Sequence, residues 1–318
     1  MKILVTGGAG YIGSHACHLL CSKGYEVVVY DNLKNGHKEN LPSEAKIVIG
    51  DLYDADKLNE CFKENRIDSV IHFAGYIEAG ESMKNPLKFF NNNVSNGVNL
   101  LNVMMKNNVK NIVYSSSAGV YGQPREIPIK EDAEKKPVNY YGLTKLMFEQ
   151  ILNSCKVHGL KSISLRYFNA AGAGFNIGEN HKPETHLIPI ILRSALSNSE
   201  VKIFGNDYET MDGSCIRDYV HVLDLAEVHI ASLEKLSHEI TGEYNVGMGN
   251  GTSVLEIVKI CEDITGRIMN KKIHERRDGD PARLIADVSK IKRELGWSAK
   301  YDIKDIIKSA WEWHKNEQ

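Results

Sequence analysis

The sequence predicts an α/β protein built on a doubly wound parallel sheet, with a smaller α/β region at its C-terminal end. Three observations carry that reading. Short, almost wholly apolar runs rich in Val and Ile alternate with helical stretches as far as Tyr167. A glycine-rich turn joins the first run to the first helix. After residue 168 the alternation gives way to chain rich in Gly and Asn. Apolar strands spaced by helices indicate a parallel sheet covered on both faces, because each parallel connection crosses the sheet through a helix.

Lys2–Thr6 (KILVT) is the first strand, and a helix over Tyr11–Lys23 follows its glycines. Glu26–Tyr30 (EVVVY) and Lys46–Ile49 (KIVI) are the second and third strands, Asp54–Asn65 is a helix, and Ser69–Phe73 (SVIHF) is the fourth strand. Pro86 suits a first helical turn, where its missing N–H is not needed, so one long helix is expected from there to Asn107. Asn111–Ser115 (NIVYS) is the fifth strand, Tyr141–His158 a helix and Ser162–Tyr167 (SISLRY) the sixth strand. Beyond them 169–185 reads as loop. A helix near Leu187–Leu196, a strand and turn around 201–216, a helix from about Val222 and a strand at Tyr244–Val246 follow. Helices near 253–265, 288–295 and 303–315 finish the chain. The boundary is placed between a nucleotide-binding domain (1–168) and a substrate domain (169–318), some of whose elements are expected to return to the first.

The 318 residues are 42% hydrophobic and 25% charged, a globular composition that excludes disorder, collagen and long coiled coils. Lys plus Arg number 39 against 41 Asp plus Glu, so no basic surplus marks a nucleic-acid or anionic-membrane partner. No run approaches the ~20 apolar residues of a membrane span, and the N-terminus reaches glycine too early for a signal peptide. Cys17, Cys21, Cys61, Cys155, Cys215 and Cys261 contain no C-x-x-C, and free thiols in a reducing, cytoplasmic setting are expected. The twelve His show no H-x-x-x-H spacing, so no metal is expected.

Thr6-Gly7-Gly8-Ala9-Gly10-Tyr11-Ile12-Gly13 lies between a strand and a helix and contains G-x-G-x-x-G. A tight turn, close backbone approach to a diphosphate and free N–H groups at a helix start are what a dinucleotide requires. Asp31 ends the second strand, where a carboxylate accepts from ribose hydroxyls and repels a 2′-phosphate, which favours NAD over NADP. Asp51 and Leu52, after the third strand, are placed to reach the adenine.

Tyr141 and Lys145 share one helix face at i,i+4, while Tyr140 has Thr144 in that position. A tyrosine acts as a base near neutrality only if its pKa of ~10 falls by roughly three units. A nearby ammonium and a cationic nicotinamide would supply that field. Ser117, after the fifth strand, is placed to hydrogen-bond the same substrate hydroxyl.

With those residues in place, the chain resembles the extended short-chain dehydrogenase/reductase superfamily and, within it, the UDP-glucose (UDP-galactose) 4-epimerase family. The segments that carry the resemblance are TGGAGYIGSH (6–15), VIHFAG (70–75), SSSAGVYG (115–122), YYGLTK (140–145), LRYFNAAGA (165–173), IFGNDY (203–208), RDYVHVLDLA (217–226) and RRDGDPA (276–282). The resemblance implies reversible epimerisation at C4 of a UDP-sugar through a 4-keto intermediate, with Tyr141 as base and Ser117 and Lys145 beside it. It implies NAD contacts from Gly7, Gly10, Tyr11, Ile12 and Gly13, and from the run Asp31, Asn32, Leu33, Lys34, Asn35 and Gly36. Asp51, Leu52, Phe73, Ala74, Gly75, Asn92, Tyr141, Lys145 and Phe168 complete that set. For the UDP-sugar it implies Ser117, Tyr141, Asn169, His186, Leu187, Ile203, Phe204, Arg217, Arg277, Asp280 and Leu284. The two arginines make chemical sense as forks for the diphosphate. A homodimer through helices near 82–107 and 141–158 is implied as well.

Two positions depart from the pattern. Ile77 stands where some members carry a lysine, which removes a donor to NAD. Leu284 stands where some carry a bulky tyrosine, which predicts room for an N-acetyl group and hence UDP-GlcNAc/UDP-GalNAc activity. Ser117 is followed by Ala118 and Gly119, so no acid is placed for dehydration. The alternatives are a UDP-glucuronate or UDP-pentose 4-epimerase and a non-catalytic NAD-binding regulator. The regulator would have no need of Ser117, Tyr141 and Lys145.

Overall fold

The structure is a computed structural model that describes residues 1–181, 183–277 and 279–316. Lys182 of the Gly- and Asn-rich loop and Asp278 of RRDGDPA lie outside the described residues. The first half runs β1 (Lys2–Thr6), α1 (Tyr11–Ser22), β2 (Glu26–Asp31), β3 (Lys46–Ile49), α2 (Ala55–Asn65) and β4 (Ser69–His72). It continues α3 (Ala79–Lys84), α4 (Pro86–Phe89), α5 (Asn96–Lys106), β5 (Asn111–Ser117), α6 (Tyr140–Ser154) and β6 (Lys161–Tyr167). The second half runs β7 (Asn169–Ala171), α7 (Leu187–Ser197), β8 (Glu200–Phe204), β9 (Ile216–His221), α8 (Val222–Leu236), β10 (Gly242–Val246) and β11 (Gly251–Ser253). It ends with α9 (Val254–Thr265), β12 (Asn270–His274), β13 (Arg283–Leu284), α10 (Ser289–Leu295) and α11 (Ile303–Asn316).

The large sheet has seven parallel strands in the order β10-β6-β5-β4-β1-β2-β3. Central β1 shows why its residues are apolar on both faces. Ile3 and Val5 pack with Cys17 and Leu20 of α1 and Val228 and Leu233 of α8, while Leu4 points the other way. There it meets Leu58 and Phe62 of α2, Leu100 and Met104 of α5, and Phe148 of α6. All three β1 residues are fully buried, as period-two alternation between two covered faces demands.

The six expected strands become seven because β10 pairs parallel with β6, Tyr244 opposite Leu165. The helix α8 also packs on the large sheet, against α1. The single helix expected over Pro86–Asn107 is instead α4, a wide π-helical turn over Phe90–Ser95, and α5. The cause sits in the turn. Asn93 accepts the Tyr76 N–H at 2.8 Å and donates to the Tyr76 carbonyl and the Thr144 hydroxyl, which anchors the turn to the segment after β4. Such bulges re-aim neighbouring side chains, and here Asn92 is turned into the cleft described below.

A four-stranded sheet centred on β9 (with β7, β11 and β13) and the pair β8–β12 build the second region. Buried Asp218 on β9 knits it together by accepting the N–H groups of Met248, Gly249 and Ala286. Burial still pushes its carboxyl up to about 6 against those donors. All six cysteines are free. Among the described residues, no helix is long and apolar enough to cross a membrane.

Candidate active site

The carboxyl ends of β1, β2, β4 and β5 open onto one cleft of about 380 Å³, a size typical of ligand sites. The glycine-rich turn forms its floor. A Cβ on Gly13 would come within 2.3 Å of the Gly7 carbonyl oxygen, so only glycine lets α1 start this close to β1. A Cβ on Gly10 would meet only that same oxygen, at 3.3 Å, and would otherwise occupy the cleft itself. The first N–H groups of α1 have no intrahelical acceptor. A backbone cradle at a helix N-terminus, kept open by the lack of a side chain, fits a dinucleotide diphosphate.

At the far end of the cleft, Asp31 accepts the Ala9 N–H at 3.0 Å and the Leu33 N–H at 2.8 Å. Burial pushes its carboxyl up, against those two donors. Asp31 therefore shapes the cradle as well as facing it. Asp51 is held by Asn32 at 2.7 Å and Lys34 at 3.3 Å. Burial pushes its carboxyl up, but Asn32, the Tyr53 N–H and Lys34 outweigh that and keep it below the usual range.

Ser117, Tyr141 and Lys145 converge at the other end. Helix α6 is capped by the Asn139 side chain on the Gly142 N–H. A Cβ on Gly142 would come within 2.4 Å of the Gly119 carbonyl oxygen, so this glycine lets the helix start against the loop that carries Ser117. Ser117 Oγ accepts the Gly119 N–H at 3.0 Å, which holds it in the cleft beside Tyr141. Lys145 Nζ donates to the Ser115 carbonyl at 2.7 Å and lies 5.7 Å from the centre of the Tyr141 ring. Burial lowers the Lys145 pKa to about 8, with Glu149 opposing.

Tyr141 carries a burial penalty that the expected ammonium and nicotinamide together would have to overcome. Burial raises its pKa, and nearby Ser117 works against that rise.

Of the residues assigned to the cofactor, all but Leu33 and Lys145 line the cleft. Leu33, at a positive φ of 58°, gives its N–H to Asp31 and so shapes the turn around that carboxylate, while its side chain is not part of the lining. Lys145 lies directly beneath. Among the residues assigned to the sugar nucleotide, Ser117, Tyr141, Asn169 and His186 line the cleft, whereas Leu187, Ile203, Phe204, Arg217, Arg277, Asp280 and Leu284 stand outside it. Arg217 is bound within the chain, to Asp280 at 3.0 Å and to the carbonyls of Ile216 and Pro281. The Arg277 guanidinium stacks 4.0 Å from the centre of the Phe204 ring, and Ile203 is buried in the core of the second region. Leu284 packs with Phe168 against the Ala118–Tyr121 cluster.

Sequence reasoning missed Glu179 and His181, which also line the cleft. His186 Nδ1 lies 2.8 Å from Glu179 and 3.0 Å from Glu184. Although burial opposes it, those carboxylates push His186 up to about 10. The overlooked signal is a doubled E-x-H, at 179–181 and 184–186.

Residues 3–247 match the NAD dependent epimerase/dehydratase family. The chain is 48% identical to a UDP-glucose 4-epimerase of Halalkalibacterium halodurans, over 99% of this chain and 96% of that one. The solved UDP-glucose 4-epimerase of Brucella ovis, in complex with NAD, superposes with a TM-score of 0.95 at 41% identity, covering 98% of this chain and 97% of that one. The Bifidobacterium longum UDP-glucose 4-epimerase, in complex with NAD+ and UDP, gives 0.92 at 40% identity, covering 99% and 98%.

Proposed function

Because the chain belongs to the NAD dependent epimerase/dehydratase family, we propose its chemistry from that premise: reversible, NAD-dependent epimerisation of UDP-galactose and UDP-glucose at sugar C4 through a 4-keto sugar. The observation that carries this reading is the meeting of Ser117, Tyr141 and Lys145 at one end of a cleft whose other end is a diphosphate cradle. Bound in that cleft, NAD+ supplies the hydride acceptor and donor, and its cationic ring adds positive charge beside Tyr141.

Tyr141 takes the proton of the sugar 4-hydroxyl and later returns it. Ser117 holds the same oxygen, and Lys145 stabilises the phenolate across a short, buried distance. Gly10 through Gly13 hold the cofactor diphosphate on the N-terminus of α1, Asp31 meets the adenosine ribose, and Asp51 and Leu52 meet the adenine. Asn169 and His186 extend from the cleft toward the sugar nucleotide. Arg217 and Arg277 bind its diphosphate, with Asp280, Phe204, Ile203, Leu187 and Leu284 shaping the rest. The lack of an acid beside Ser117 disfavours net dehydration, since nothing there protonates a leaving hydroxide. We also place the protein in the cytoplasm, on its six free thiols, and read it as a homodimer, which its mass in solution tests.

The experiment is to give the purified protein UDP-galactose with no added NAD and follow UDP-glucose together with nicotinamide absorbance. Conversion without net NADH is expected. Conversion only after NAD is added would locate the weakness at Ile77. Silence in both cases overturns the assignment. The second reading, turnover of UDP-GlcNAc, rests on Leu284 standing where some members carry a bulky tyrosine. If that reading holds, Leu284→Tyr lowers UDP-GlcNAc turnover about tenfold and UDP-galactose turnover far less, as one misplaced group in a pocket would. No UDP-GlcNAc turnover by the unaltered chain sinks it.

A further inference from the structure

Between β7 and α7 the chain brings together four ligating side chains, of which only His186 is assigned to the sugar nucleotide. Glu179, His181, Glu184 and His186 each present one ligating atom, and these four atoms lie within 4.8 Å of one another. All four belong to one eight-residue stretch that ends at the N-cap of α7.

Their internal contacts leave donor capacity unused. His181 Nδ1 lies 3.3 Å from Glu179 Oε1, and His186 Nδ1 approaches Oε1 of both glutamates. Yet Glu179 Oε2, Glu184 Oε2 and His181 Nδ1 are buried with no hydrogen-bond partner. Glu179 is only 5% exposed. Buried polar atoms normally find partners, and a bound ion is one standing reason for an exception. Two carboxylates in one largely buried cluster also require positive charge, and the two imidazoles beside them reach only their Oε1 atoms.

We propose that Glu179, His181, Glu184 and His186 bind a divalent transition-metal ion of the zinc type. Two imidazoles and two carboxylates are a donor set that such an ion accepts, and four protein ligands make a closed, structural site. Bonds of about 2.0–2.2 Å place tetrahedral donors roughly 3.3–3.6 Å apart, so the present cluster needs only a small contraction.

The location gives the ion a task. Glu179, His181 and His186 share the cleft with Gly10 and Tyr11, and Tyr11 packs edge-on against His181 at 6.5 Å between ring centres. Two carboxylates stand here beside a cleft that takes diphosphates. A divalent ion cancels that charge and ties the 172–186 loop to the head of α7. This task rests on the NAD reading above; the binding site itself does not.

The test titrates chelator-treated protein, resupplied with NAD, with Co2+ and then Zn2+, read by visible absorption, calorimetry and metal analysis. One ion per chain is expected, with Zn2+ displacing Co2+. His181→Ala and Glu179→Gln are each expected to weaken binding about 100-fold or more, beyond the ~10–100-fold typical of outer-shell partners. Glu184→Asp, which keeps a carboxylate, retains a site, and His238→Ala, at an exposed histidine elsewhere, binds as the unaltered chain does. Circular dichroism of each variant separates a lost site from a lost fold. Absence of any bound ion at millimolar Co2+ and Zn2+ overturns the proposal, and so does equal binding by the folded His181→Ala variant. Because the readout is metal content and spectrum, failure of the epimerase assay leaves this result intact.

Discussion

At the cofactor end of the cleft, the side chains and backbone are delivered by the carboxyl edge of one parallel sheet and by helices that start against it. Gly13 and Gly142 allow backbone approaches that no other residue permits, and Lys145 is locked to the Ser115 carbonyl in near-complete burial. Outside the cleft, the groups proposed for the sugar nucleotide come from small sheets and loops. Arg217 is held by Asp280 and two carbonyls, and Arg277 lies exposed over Phe204. The first region has its geometry enforced by packed backbone, which is close-packed and resists adjustment. The second holds its cations through in-chain partners that a ligand must share or replace. Changes in the first region should therefore appear in the chemical step, and changes in the second in substrate affinity.

The largest expected effect tests the first half of that contrast. Tyr141→Phe removes the group proposed to move the proton and is expected to lower kcat about 10³-fold, within the range of general acid–base catalysis. Bound NAD, measured after denaturation, stays unchanged. A loss below tenfold would break the comparison at its strongest point.

Lys145 gives the next. With a pKa of about 8 in the fold against 10.5 unfolded, it is a proton poorer in the folded chain between those values. Stability of the cofactor-stripped protein therefore rises from this group as pH climbs from about 8 toward 10.5. The rise is worth ~3 kcal/mol. Denaturant unfolding of Lys145→Met across that window is expected to lack it; an identical pH slope in both proteins would mean that the ammonium is not held as described.

Arg217→Ala sharpens the other half. Loss of a charged donor to a diphosphate costs about 1.5–3 kcal/mol, so KM for UDP-galactose rises roughly 10–100-fold while kcat changes little. An equal fall in kcat would place Arg217 in the chemical step and erase the distinction. The smallest effect is at the rim, where Ile77 is 37% exposed and lines the cleft. Ile77→Lys is expected to slow NAD release a few-fold, as one exposed charge pair allows, measured by cofactor retained on gel filtration. Faster release would show that the lysine finds no cofactor oxygen.

The sequence by itself determined the strands and helices of the large sheet, the phosphate loop and the order Ser117, Tyr141, Lys145, because these rest on short-range spacing: period two, period 3.6, and glycines at a strand–helix turn. Tertiary structure decided the rest. The β10 segment joins β6 only because the chain returns from the second region, and no local pattern in YNV names its neighbour. The break in the helix after Pro86 depends on Asn93 reaching Tyr76 and Thr144, partners distant in sequence. Burial raises the Tyr141 pKa against the fall that its chemistry needs, since desolvation depends on everything packed around the phenol. The doubled E-x-H has no helical period to give it away; a folded loop alone brings its four donors to one point.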